Sequence, residues 1–458
     1  MFGSWLAAAG GWAGAARAQE MGPGVGGTMT EDYLPALRPL IDAALKESPD
    51  LIANELRVEA AEATKLKDGT SHLLPQLSSY IQYGEDSQAV SANAGNSNRN
   101  QGFTYYANAT QPIFQWGALK NQLADQQIMV ATSEKDYAES YRLFIGDLRR
   151  SYLDLVGKKI SLRNLRLGLK MSGDALTLAN EQLKSGALPA GAIVGPQLAD
   201  AQAQLNVEQA ELAYVVARHD FARRLARPDL PEDAVVADVP APRFSPEAAQ
   251  ALLAEFLSGG GQVTAAVQRS VLNVSHWDLQ YRIAKVNLLP KLSVQASVQQ
   301  QNQSTVINNT VTQNFVTTQQ YYMVANWNIF DGLFTRGWKR QTSFQKQIAQ
   351  HDLQVTIDAT LEGAQNAEKQ LEFAWRQLRI TDTRAQIAQG ELDQTEDAVK
   401  RGATAPSTLD AARSRAYDAQ ANLAHDRGAF LSSWSDFVSL VGHDPAMRNL
   451  PSRYVRQD

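Results

Sequence analysis

The chain contains no cysteine. That excludes disulfides, thiolate metal sites, a cysteine nucleophile and a lipid-modified cysteine in the sequence as given. Histidine is scarce, with His72, His219, His276, His351, His425 and His443 spread along the chain. No two of them form H-x-x-x-H and none belongs to H-E-x-x-H, so no zinc-hydrolase motif exists. The nucleophile elbow G-x-S-x-G and the phosphate loop G-x-x-x-x-G-K are also missing. Gly22, Gly24 and Gly27 satisfy G-x-G-x-x-G, yet no strand precedes them and no βαβ unit follows. An excess of basic charge is lacking too. The net charge is -5, with acids and bases mixed, which leaves no electrostatic footprint for nucleic acid. Charged residues make up 20% of the chain, and their carboxylates read as solvated helix faces rather than acid–base pairs. No apolar run is long enough for a membrane-spanning helix. Nothing in this inventory calls for an enzyme, a metal or a cofactor.

What is present is a pattern that occurs twice. Leu73-Leu74-Pro75-Gln76-Leu77 leads into a strand-like segment, a polar stretch, a second strand and Gln111-Pro112-Ile113-Phe114. Leu288-Leu289-Pro290-Lys291-Leu292 leads through the same series to Asn328-Ile329-Phe330-Asp331-Gly332. The spacing holds across each unit to within one position: Pro75 corresponds to Pro290, and Ile113-Phe114 to Ile329-Phe330. The chain is a tandem duplication.

The expected organisation follows. Residues 1–18, a short apolar stretch ending in Ala16-Arg17-Ala18, read as a secretory signal peptide, although the usual basic n-region is missing. Residues 19–30 are a Gly-rich linker. The first repeat spans 31–226, with helix to about Lys67 interrupted at Pro49, a hairpin over 77–113, a long helix and a return helix. A proline-rich stretch over 227–246 reads as a connector packed on the outside of the helices. The second repeat spans 247–442 with its hairpin over 292–330, and 443–458 form a tail.

The strands alternate. Leu77, Ser79, Ile81 and Tyr83 share one face, and the second copy gives Leu292, Val294, Ala296 and Val298 against Ser293, Gln295 and Ser297. The returning strands put Phe103, Tyr105, Ala107 and Ala109, and Tyr321, Met323, Ala325 and Trp327, on matching faces. Polar loops are expected over 84–102 and about 300–318. An apolar face, a polar face and long loops suit transmembrane barrel strands of about 9–11 residues. A half-buried soluble sheet alternates in the same way.

The helices repeat every seven residues. Tyr141, Leu148, Leu155, Leu162, Leu169, Leu176 and Leu183 form one seam, and Ile357, Ala364, Leu371, Leu378, Ala385, Leu392 and Val399 the other. Small residues follow at Thr360, Ala367, Ala374, Thr381, Ala388 and Thr395. A period of 3.5 predicts supercoiled helices. Each helix breaks at a Gly-containing tip, Lys184-Ser185-Gly186 and Lys400-Arg401-Gly402-Ala403, and returns. Leu409, Ala416, Leu423, Phe430 and Phe437 continue the second seam. Leu198, Leu205, Leu212 and His219 read as the first, which makes His219 a packed core residue and gives the first tip five extra residues.

With these motifs assembled, the chain resembles the TolC-type outer-membrane efflux proteins over about residues 31–442. The resemblance rests on the duplicated Leu-Leu-Pro-x-Leu, on Gln-Pro-Ile-Phe and Asn-Ile-Phe-Asp-Gly, and on the Gly tips. It implies a mixed, mainly α fold: a homotrimeric transmembrane β-barrel, four strands per chain, continued by a long α-helical coiled-coil barrel across the periplasm. It implies a passive exit duct for small molecules, with a periplasmic adaptor and an inner-membrane transporter as partners and outer-membrane lipid around the barrel. Val294, Ala296 and Val298 would then face lipid. The tip residues Lys184, Gly186, Arg401, Gly402 and Ala403 would dock the adaptor. Asp410, with Asp200 its nearest counterpart, is the candidate periplasmic gate and selectivity ring; the alternative is a solvated acid near a helix N-terminus. The family's return helix commonly opens with Asp-Val-Leu, and here the sequences are Leu409-Asp410-Ala411 and Leu198-Ala199-Asp200. Two other functions fit the residues: the tunnel of a type I protein secretion system, and a soluble periplasmic coiled-coil scaffold without a barrel.

Overall fold

The computed structural model describes residues 29–89, 97–227, 229–307, 310–450 and 454. The expected signal peptide and most of the linker lie outside them. Met29 and Thr30, at the linker's end, are already buried, and the Thr30 hydroxyl lies 2.8 Å from that of Ser435.

Two helices of 67 residues dominate: α4 (Ala118–Lys184) and α8 (Phe334–Lys400). Their ends coincide in the duplication: Ala118 corresponds to Phe334 as Lys184 does to Lys400, the register already set by Ile113 and Ile329. At 1.5 Å per residue each is about 100 Å long. Each is entered through two consecutive left-handed residues, Trp116-Gly117 and Gly332-Leu333. One residue of each pair is glycine, which adopts that conformation without a Cβ clash; its partner is held there at a cost of about 1–2 kcal/mol.

Four strands form one antiparallel sheet in chain order: β1 (Gln76–Ala89), β2 (Ser97–Phe114), β3 (Lys291–Ile307) and β4 (Thr310–Asn326). The stretches expected as loops are largely strand. The ladder continues to Ala89↔Ser97 in one hairpin and Ile307↔Thr310 in the other. Backbone pairing satisfies these residues whatever their side chains. At about 3.3 Å per residue a strand of 17 residues is about 56 Å long, so pairing carries it well past the alternating segment. Pro112, which has no N–H to donate, sits where the β2–β3 register shifts.

The helices lie side by side. The return helices are α5 (Val194–Arg224) and α9 (Pro406–Leu440). Contacts place them in the order α5–α4–α9–α8. The α4 seam is buried from Tyr141 through Leu162 and half-buried at Leu169, Leu176 and Leu183. Burial pushes the Tyr141 phenol up to about 12, with Tyr137 adding to the effect. The α8–α9 seams are buried in the frame read from sequence, including Leu371, Leu378, Leu423 and Phe430.

The α5 frame is different from the one expected. Leu198, Leu205 and Leu212 are exposed at 68, 46 and 66%, and His219 is exposed as well. The buried frame is Ile193, Asp200, Val207, Tyr214 and Phe221. The repeat register carries these five onto Leu409, Ala416, Leu423, Phe430 and Phe437 in turn. The two tips therefore have equal length and the five extra residues do not exist. An inter-helix ion pair verifies the register. Arg166–Glu211 at 2.8 Å has its equivalent in Asp382–Arg427 at 3.8 Å, with the charges exchanged.

Shorter elements pack on this slab, both at its middle and beside the sheet-proximal parts of α4 and α8. Helices α1 (Thr30–Tyr33), α2 (Leu37–Glu47) and α3 (Pro49–Lys65) precede the first hairpin; α6 (Pro246–Ser258) and α7 (Ala265–Lys285) precede the second. Pro49 takes the first position of α3, where its missing N–H costs nothing. The connector packs through buried Leu230, Val235 and Val239, and the Tyr152 hydroxyl donates to the Ala234 carbonyl at 2.9 Å. One buried ion cluster ties Glu31, before α2, and Asp444, after α9, to α4. Arg149 donates to both Glu31 oxygens (2.9 and 2.7 Å) and both Asp444 oxygens (2.5 and 3.0 Å). Burial works against the guanidinium charge, but the hydrogen bonds to Asp444 and Glu31 outweigh it and hold Arg149 above its ordinary value.

Candidate functional site: a two-faced wall and two tips

The sheet register aligns the sequence patterns of all four strands. Leu77, Ser79, Ile81 and Tyr83 oppose Ala109, Ala107, Tyr105 and Phe103. Ala107 and Ala109 in turn oppose Val298 and Ala296, and Gln111 opposes Val294. Val294 and Ala296 oppose Met323 and Tyr321. Directly opposed residues share a face, so one mainly apolar surface crosses the whole sheet. Tyr83 and Phe103 pack on it with ring centroids 4.8 Å apart. The other face carries Ser78, Gln82, Asn108, Thr110, Ser293, Gln295, Ser297 and Gln320, with Tyr80 and Tyr106 paired 5.7 Å apart.

Aromatic residues gather at the base of the sheet. Phe114, Trp116, Trp327, Phe330 and Phe334 are exposed. The Trp116 indole donates to the Pro290 carbonyl at 2.8 Å, and Trp327 donates to that of Leu288 at 3.0 Å. Both indoles thus end on the second Leu-Leu-Pro segment, one from each hairpin. Rings that are apolar on one side and hydrogen-bonded on the other suit a membrane–water boundary.

At the far end the two tips match. Gly186 (φ 80°) and Gly402 (φ 72°) are left-handed. Ala187 N–H donates to the Gln182 carbonyl and Ala403 N–H to that of Ala398, both at 2.9 Å, closing each helix in the same way. A Cβ added to either glycine meets nothing within 4 Å, so only the backbone requires glycine there. Arg401 and Ala403 are exposed around Gly402, as Lys184 is beside Gly186.

The two acids separate. Asp410 has an exposed side chain (55%), with Arg413 at 3.8 Å. Asp200 is 9% exposed and lies in the α4–α5 seam. Ser172 Oγ donates to its Oδ1 at 3.0 Å, and Gln204 Nε2 to its Oδ2 at 2.8 Å. In the repeat register its counterpart is Ala416, and that of Asp410 is Val194. Asp200 therefore leaves the gate candidates; it is a satisfied seam polar residue.

A family model described as outer membrane efflux protein matches residues 40–227 and 264–443. The chain belongs to this family. Its role is accordingly that of an outer-membrane efflux duct. Solved structures share the fold at low identity. The Campylobacter jejuni CmeC outer membrane channel is 15% identical with a TM-score of 0.73, over 96% of this chain and 95% of that one. The Vibrio cholerae outer membrane protein VceC is 13% identical with a TM-score of 0.68, over 90% and 97%. The Neisseria gonorrhoeae MtrE outer membrane channel is 14% identical with a TM-score of 0.64, over 89% of each. No curated protein sequence matches the chain significantly.

Sequence reading missed the Arg149 cluster altogether. Its acids lie 118 and 295 residues from the arginine. Arg149 follows the seam residue Leu148 by one, a position that reads as a solvated flank.

Proposed function

We propose that three copies of the chain close into one continuous duct, a twelve-stranded barrel in the outer membrane standing on a helical tunnel in the periplasm, through which small molecules leave the cell. The observation that carries this reading is a pair of unfinished edges. In the sheet, β1 and β4 are both edge strands. Four strands cannot close, and open strand edges are not tolerated in lipid. In the slab, α5 and α8 are the outer helices. Each bears a second, exposed heptad stripe: Leu198, Leu205 and Leu212 on α5, and Phe373, Ile380 and Ile387 on α8. Setting α8 of one copy against α5 of the next satisfies both stripes and brings β4 against the next β1.

Native mass spectrometry of the detergent-extracted protein is expected to report a trimer. A stably folded monomer would remove the barrel from the proposal. The partners follow by the same reading: a periplasmic adaptor on the tips and an inner-membrane transporter that supplies the energy. A photo-cross-linker at Ala403 should capture a co-expressed adaptor. Cross-links found only along the 227–246 connector would move docking away from the tips.

The gate rests on Asp410 alone. It lies eight residues past the tip glycine and is the fifth residue of α9, just over one turn into the helix, and three-fold symmetry brings three copies to one level. A carboxylate ring favours cations. In planar bilayers Asp410→Asn is expected to lower cation selectivity and weaken block by multivalent cations from the periplasmic side. Unchanged selectivity with an intact trimer would make Asp410 an ordinary surface acid.

A further inference from the structure

We propose that the first copy carries a binding site for a carboxylate with an apolar body, set between α4, α5 and the connector and independent of the duct. A cavity of about 610 Å³ opens there, lined by Lys159, Arg163 and Arg166 of α4, Glu211, Tyr214 and Arg218 of α5, and Glu232 of the connector. Four cations against two acids leave it net positive. Half of the cations are already engaged. Arg166 pairs with Glu211 at 2.8 Å, and the Lys159 ammonium donates to the carbonyls of Glu232 (3.1 Å) and Val235 (2.6 Å). Arg163 and Arg218 have no ion-pair partner among the described residues.

Two buried polar atoms at this cavity are orphaned: the Tyr214 hydroxyl and Arg218 Nε. Tyr214 is only 5% exposed. Burial raises its pKa, and Glu232 adds to this while Arg218 opposes it, so the phenol stays a donor at neutral pH. Buried polar atoms are almost always paired, and an exception in a basic hollow points to a missing acceptor.

The duplication supplies an internal comparison. In the repeat register, Lys159, Tyr214 and Arg218 become Trp375, Phe430 and Trp434. There the connector's Phe244 closes an aromatic cluster with ring centroids 5.2 to 5.7 Å apart. The same joint is filled with rings in the second copy and is hollow, basic and unsatisfied in the first. Packing therefore does not require these polar residues.

The chemistry selects the ligand. An arginine edge presents Nε–H and Nη–H in the geometry of a carboxylate. Ile160, Leu162 and Val215 line the remainder of the cavity, which is far larger than a bare anion needs. The probe is benzoate, titrated by calorimetry into the full-length protein in detergent, with inorganic phosphate alongside. Benzoate is expected to bind, and phosphate at least tenfold more weakly. Arg218→Gln should weaken benzoate binding tenfold or more and Tyr214→Phe about threefold, while Arg150→Gln at an exposed site leaves it unchanged. The combination Lys159→Trp, Tyr214→Phe and Arg218→Trp, copied from the second repeat, should fold and not bind. The proposal is overturned if benzoate does not bind, if Arg218→Gln leaves binding unchanged, or if phosphate binds as tightly as benzoate. It is equally overturned if crystals grown with benzoate show only ordered water on Tyr214 Oη and Arg218 Nε.

Discussion

Arg149→Met is expected to destabilise the protein by about 3–5 kcal/mol, the range for removing one partner of a buried ion cluster. Methionine keeps most of the volume and supplies no donor. The side chains of Glu31 and Asp444 are 10% and 0% exposed, and each loses its guanidinium. The Asp444 carboxylate keeps the Ala446 N–H at 2.9 Å. Because the loss comes from stranded charge rather than from a missing bond, neutralising the acids should recover most of it. Arg149→Met with Glu31→Gln and Asp444→Asn should melt well above Arg149→Met alone. Arg150→Ala, whose partner Asp147 is half exposed, is the control and should change stability by less than about 1 kcal/mol. The measurement is thermal melting of the detergent-solubilised protein, with limited proteolysis at both chain ends. Melting of Arg149→Met at the wild-type temperature would show that the cluster contributes nothing.

Much of the fold was legible because coiled helices and sheets repeat on periods that the sequence must carry. The seams of α4, α8 and α9 could be read from leucine and alanine spacing, since burial there selects by size alone. The α5 seam could not. Its most apolar heptad, Leu198-Leu205-Leu212, is exposed in the chain, and its buried heptad contains Asp200 and Tyr214. On the proposed duct an outer helix such as α5 has two seams, one toward its own chain and one toward the next. Period identifies both and distinguishes neither. Asp200 was drawn toward the gate by the same error, since nothing local shows that Ser172 and Gln204 satisfy it. The strand extensions failed for a different reason: alternation reports two unlike environments, and on the proposed barrel both faces meet water above the apolar layer. The Arg149 cluster and the cavity at Tyr214 depend on distant segments, for which a single sequence holds no signal.

On the proposed barrel, Ala296→Arg should block assembly where Gln295→Arg does not. The two neighbours sit on opposite faces of β3, which is paired on both sides. Ala296 lies between Ala109 and Tyr321, within the apolar surface, whereas Gln295 lies between Thr110 and Tyr322 on the face that carries most of the polar residues. Ala296 is five residues above the start of β3, about 17 Å at about 3.4 Å per residue. With the aromatic residues marking the boundary at the sheet's base, that depth is near the middle of a hydrocarbon layer about 30 Å thick. Arginine costs about 2–4 kcal/mol at that level on the lipid face and much less near the interface. β3 cannot escape by slipping one residue, since every side chain along it would change faces. Three-fold symmetry triples the penalty per assembled duct. Trimers in isolated outer membranes, counted by unheated gel electrophoresis, should therefore nearly vanish for Ala296→Arg and stay near wild type for Gln295→Arg. Serine at the same position, Ala296→Ser, should assemble normally, which shows that the site tolerates a small polar group and rejects the charged one. Equal yields for the two arginine variants would reject the assignment of faces, and with it the claim that the Leu77–Ala109–Ala296–Tyr321 surface lies against lipid.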